Sequence, residues 1–88
     1  MTYATLMYIN GLLEERAGFN ERMHSHACDT VRKWRDRIDE EESKSPDGKA
    51  SAKSLKELED AAAERDRLYK RYAESRDALQ DFREHDFR

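Results

Sequence analysis

The sequence predicts an all-α fold, an antiparallel helical hairpin of coiled-coil character, on three observations. Of 88 residues only three are Gly and one is Pro, so breaks are few. Charged side chains make up 42% of the chain and hydrophobic ones 36%, the balance of helices that bury one face and leave the rest to water. The one strong punctuation, Ser43-Lys44-Ser45-Pro46-Asp47-Gly48-Lys49-Ala50-Ser51-Ala52, sets a Pro-Asp-Gly turn among small polar residues near mid-chain. One domain over 1–88 follows, with helix one over about 3–42, a connector over 43–52 and helix two over about 53–84.

Residues 1–19 differ in kind from the rest, with eleven apolar residues against three charges, Glu14, Glu15 and Arg16. Their apolar positions spread over more than one helical face, so the segment needs cover from several sides. Gly18 followed by Phe19-Asn20-Glu21 can stop a helix and start another, which folds 3–17 back as a short third helix. It can equally lie inside one continuous helix at a cost of about 1 kcal/mol relative to Ala. The continuous helix is the expectation, with the third helix as its alternative.

From Asn20 to Glu42 there is no breaker, and Met23, Ala27, Val31, Trp34 and Ile38 recur at steps of four, four, three and four, one helical face. Beyond the connector, Ser54-Leu55-Lys56-Glu57 fits a capping box, which starts helix two near Ala52 to Ser54. Leu58, Ala61, Leu68, Tyr72, Leu79 and Phe82 form its ladder, interrupted by Arg65 and Ser75. A turn at Asp47 to Gly48 pairs positions whose numbers total about 95, with helix axes about 8 to 10 Å apart. Trp34 then faces Ala61 and Ala62, Ile38 faces Leu58, Ala27 faces Leu68, Met23 faces Tyr72, and Leu13 faces Phe82. At the C-terminus Asp81-Phe82-Arg83 and Asp86-Phe87-Arg88 repeat at an offset that is not a helical period, which leaves Phe87 as an apolar tail residue.

A two-helix hairpin has one interface, which cannot hide both a seam and a many-sided apolar N-terminus. Completion of the core by a second copy or a larger protein partner is therefore expected, with Leu6, Met7, Ile9 and Leu13 as contacts. Arg65, Tyr69, Tyr72 and Arg76, at steps of four, three and four, set two aromatics between two guanidinium groups, the residue types that dominate binding hot spots. Stacking aromatics beside basic groups also suit single-stranded nucleic acid, but Glu64, Asp66, Glu74 and Asp77 nearly cancel the charge, so direct nucleic-acid binding is not expected.

In Val31-Arg32-Lys33-Trp34-Arg35-Asp36-Arg37 the basic groups can pair forward, Arg35 with Asp39 and Arg37 with Glu41, giving a solvated face. The acidic run Asp39, Glu40, Glu41 and Glu42 at a helix C-terminus opposes the macrodipole, which would suit contact with a basic partner. His24 and Cys28 are one turn apart, both able to ligate zinc or copper, and Glu21-Arg22-Met23-His24 matches the Glu-x-x-His element of di-iron bundles. That element needs carboxylates from other helices, so the expectation is no metal, with Glu21, His24 and Cys28 the ligands if one binds.

No Gly-rich phosphate loop, nucleophile elbow or paired-histidine motif is present, so no enzyme activity and no cofactor are expected. The longest apolar run, Leu6 to Ile9, is far short of the roughly 20 residues that span a bilayer. A single cysteine cannot close an intrachain disulfide and no signal peptide is evident, so cytoplasmic residence is the default expectation. The function these features favour is a protein-interaction or assembly element. The alternatives are a small inhibitor, for example phage-encoded, that docks on a larger enzyme or nucleoprotein and blocks nucleic-acid access, and a metal-binding helical bundle.

Overall fold

Helix α1 (Tyr3–Lys44) starts where Thr2, in extended conformation, accepts the Thr5 N–H on its hydroxyl at 3.2 Å. It runs unbroken for 42 residues. Lys44 closes its last turn, where a cation favours the negative end of the dipole. Ser45 leaves the helix with ψ at 136° because Pro46 crowds any preceding residue out of the helical region. The Gly48 N–H donates to the Ser45 carbonyl at 3.1 Å, and Gly48 sits at φ +70°, where a side chain would be strained. Asp47 secures the reversal, its Oδ1 accepting the Ser45 hydroxyl and, at 3.0 Å, the Lys49 N–H. Helix α2 (Ala52–His85) follows for 34 residues.

The computed structural model describes residues 1–86, and over these the two helices lie antiparallel as one hairpin, 68 Å long and 15 by 13 Å across. Phe87 and its expected place as a tail residue lie outside the described residues. Cross-helix contacts fix the register: Glu41 bonds to Ser54, the His24 ring lies beside those of Tyr69 and Tyr72, and Arg83 bonds to Asn10 and Glu14. Each pair lies within about three residues of the expected alignment, less than one helical turn.

In α1 the inward positions are Leu6, Asn10, Leu13, Ala17, Asn20, His24, Ala27, Val31, Trp34, Ile38 and Glu41, in α2 Ser54, Leu58, Ala61, Arg65, Leu68, Tyr72, Ser75, Leu79 and Phe82. All are buried or half-buried, and both series step by four and three in strict alternation, the heptad repeat of a coiled coil. Ala27, Val31, Ile38, Leu68 and Phe82 are the buried apolar side chains among the described residues. Much of the seam is polar.

The expected continuous helix one is present, its alternative is not, and two other expectations are corrected. No third helix forms at Gly18, because the inward series runs in phase from Leu13 through Ala17 to Asn20, and a break there would cost several seam contacts against about 1 kcal/mol for a helical Gly. Met23 does not face Tyr72. A heptad step of three back from Ala27 lands on His24, whose ring stacks on Tyr72 at 6.3 Å, while Met23 is turned outward. The cap of α2 is Ser51, whose hydroxyl accepts the Ser54 N–H at 3.2 Å. Ser54 lies in the first turn and points across the hairpin, so Ser54 to Glu57 is not a capping box.

Candidate functional site

At the open end of the hairpin Arg83 ties the helices together, its Nε donating to Asn10 Oδ1 at 2.9 Å and its guanidinium pairing with Glu14. Residues before Asn10 extend past this tie. Leu6, Ile9 and Leu13, expected as contacts, are half-buried along the seam side, whereas Met7 is exposed. More apolar surface lies on a face the sequence reading did not isolate. Tyr8, Leu12, Phe19 and Met23 fall within about 60° of arc at 100° per residue. This stripe is turned about 120° from the seam, so α2 does not reach it. Tyr8 is 68% exposed, Leu12 48% and Phe19 55%. The spacing is present in the sequence, but it shows only once Met23 is turned away from the seam.

The Tyr and Arg stripe of α2 is divided by the packing. Arg65 and Tyr72 take inward positions and are half-buried, while Tyr69 and Arg76 are exposed. The Arg65 guanidinium stays near Asp66 at 3.1 Å, and the Arg76 guanidinium lies 5.4 Å from the centre of the Tyr72 ring. His24 reaches this group from α1, its ring 5.2 Å from that of Tyr69. Cys28 Sγ lies 3.5 Å from His24 Nε2. Glu21 is exposed and takes no part in that pair, and no group of three potential metal ligands gathers among the described residues.

Near the turn, the acidic run is partly used by the fold itself. Glu41 is half-buried and accepts the Ser54 hydroxyl at 2.8 Å and the Ser51 N–H at 3.4 Å, with Arg37 at 3.9 Å. Its partners hold α2 to α1 where the chain reverses. Glu40 receives the Lys44 ammonium at 2.6 Å, a hydrogen bond that holds the carboxyl below the usual carboxylate range and the ammonium above its own. Asp39 and Glu42 remain exposed, and Arg35 makes no ion pair with Asp39 among the described residues. A recess of about 520 Å³ opens here, lined by Arg37, Glu40, Glu41, Lys44, Ser45, Lys49 and Ser51, with both signs of charge. Trp34, half-buried in the seam, is covered on one side by Arg37 at 5.1 Å.

No helix among the described residues is long and apolar enough to cross a membrane. Comparison of the chain with protein-family models, characterised proteins and solved structures finds no match.

Proposed function

We propose that this chain is a non-enzymatic protein-interaction element, a helical rod that offers the outer face of its N-terminal half to another helical surface. The observation that carries this is the line of Tyr8, Leu12, Phe19 and Met23, left in water by a hairpin whose own seam lies elsewhere. The largest apolar patch on a soluble fold, commonly about 300 to 600 Å², is often a functional surface. Tyr and Phe bring large area with only two side-chain torsions to order, which makes them efficient anchors. Leu6 and Ile9, half-buried past the Arg83 tie, and Met7, exposed about 130° around α1 from the stripe, add further apolar surface at the tip.

The inhibitor alternative asks for acidic groups free to meet a basic partner. Glu41 is taken up by Ser51 and Ser54, while Asp39, Glu40 and Glu42 stay exposed, so that reading rests on three acidic side chains rather than four.

A photo-cross-linking residue tests the proposal in the source cell. Placed at Phe19 it is expected to give a protein adduct that the same residue at Lys33, an exposed site toward the turn end, does not. Equal absence of adducts at the two positions refutes it.

A further inference from the structure

We propose that Asn10-Gly11 is a self-modifying site, an asparagine that loses its side-chain amide spontaneously when the open end of the hairpin comes apart and is held unreactive while that end is closed.

The sequence supplies the reacting groups. The Gly11 backbone nitrogen follows Asn10 directly and has no side chain beside it to hinder its approach to the Asn10 amide. That nitrogen attacks Asn10 Cγ. An N–Cγ bond forms, the Cγ–Nδ2 bond breaks, and Nδ2 leaves as ammonia with the proton that Gly11 gives up. Water then opens the five-membered imide at one of its two carbonyls. Opening at Cγ gives aspartate, and opening at the backbone carbonyl gives isoaspartate, whose main chain runs through the former side chain and is longer by one methylene. Water is the only co-reactant, and nothing is oxidised or reduced. The other asparagine, Asn20, is followed by Glu21, whose side chain hinders the same attack.

The fold holds the reaction off in three ways. An α-helix keeps ψ at about −42°, whereas the ring needs Cβ and the following nitrogen eclipsed, at a ψ of about −120°, so α1 must unwind at Asn10 before closure. Helical pairing also commits the Gly11 N–H to the Met7 carbonyl four residues back. Finally, Asn10 Oδ1 accepts the Arg83 Nε–H at 2.9 Å, which pins the amide across the seam. Crowding is not among them, since a Cβ at Gly11 would meet nothing within 4 Å. Protection is therefore conformational. Asn10 lies about two turns from the start of α1, and helix ends open more often than helix centres.

The product alters the tie. Aspartate at this position sets a second carboxylate beside Glu14 on the Arg83 guanidinium. Isoaspartate breaks the helical repeat and frees the turns before it, which carry Leu6, Met7 and Ile9. A transient opening is thereby recorded as a lasting negative charge.

The test follows the full chain in neutral buffer by ion exchange, which reads each added negative charge, with peptide mapping to place it. Unfolded in guanidinium chloride, the chain is expected to lose the Asn10 amide at least about 10-fold faster than when folded. Arg83→Ala, which removes the pin, and Thr2→Ala, which removes the cap of α1 without touching Asn10, are each expected to speed the folded chain at least about 3-fold. Helical circular dichroism checks that both variants remain folded. Glu41→Ala, at the turn end, is expected to leave the rate unchanged, because the tip opens without the turn. Equal rates in the folded and unfolded chain overturn the protection. Acceleration by Glu41→Ala as large as that by Arg83→Ala overturns the open end as the gate, and an intact Asn10 in the unfolded chain overturns the site itself.

Discussion

Single side chains decide how the two helices are joined at their ends. Glu41 occupies an inward heptad position where an apolar residue is usual, and it is tolerated because the Ser54 hydroxyl and the Ser51 N–H satisfy its carboxylate. Removing either member of the Glu41 and Ser54 pair takes one hydrogen-bond partner from the other, Ser54 being buried and Glu41 half-buried. Glu41→Ala and Ser54→Ala are each expected to destabilise the hairpin, with a coupling of about 1 kcal/mol in a double-mutant cycle followed by urea unfolding of Trp34 fluorescence. Coupling indistinguishable from zero would show that the bond contributes nothing to holding the turn.

Other carboxylates at this scale link stability to acid. Asp47 is held below its ordinary 3.8 chiefly by the Ser45 hydroxyl, Glu40 below 4.5 by Lys44, and Glu64 below 4.5 by Arg67. A folded value below the unfolded one means the contribution is present above the ordinary value and is lost as pH falls through the folded one. The urea midpoint should therefore drop as pH goes from about 5 to about 3, and Asp47→Asn should flatten part of that drop. Lys44 and Lys56 are raised above 10.5 by Glu40 and Asp60, so their share is kept at neutral pH and lost only in strong alkali.

At the scale of the helix, α1 stays continuous through two glycines because its inward series never loses phase. Gly11 is one of these, and a Cβ there would meet nothing within 4 Å. Gly11→Ala is thus expected to stabilise the hairpin by about 0.5 to 1 kcal/mol through the smaller entropy of the unfolded chain, measured by urea unfolding. Loss of stability instead would show that the glycine backbone is approached by something other than α2. On α2, Arg65 and Ser75 stand at inward positions and looked in the sequence like interruptions of the ladder. They are polar members of the seam, and Ser75 meets its own need by donating to the Tyr72 carbonyl at 2.9 Å. Polar residues at such positions lower stability and help specify register.

For the molecule as a whole, the shape states the difficulty. Its radius of gyration is 19.6 Å, whereas a compact chain of this length would have about 12 Å. A rod of two helices buries little, which is why so few apolar side chains are fully covered and why a second molecule has so much to offer. If copies associate through the exposed outer face of α1, the melting temperature is expected to rise by roughly 5 °C between about 5 and 200 µM, because mass action then favours the associated folded state. A melting temperature independent of concentration would mark the hairpin as self-sufficient.

The sequence alone was enough for the hairpin, its turn and its register, because these follow from local rules. Pro46 and Gly48 permit one reversal, and apolar residues at helical spacing on both sides permit one alignment of two rods. Only the packed structure decided which polar residues belong inside. Between His24 and Met23, hydrophobicity chooses Met23 and the heptad phase chooses His24, and phase wins because one misplaced residue costs less than rotating a helix of 42 residues. With Met23 turned out, Tyr8, Leu12 and Phe19 line up beside it on the far side of α1, a surface defined by the position of α2 rather than by composition.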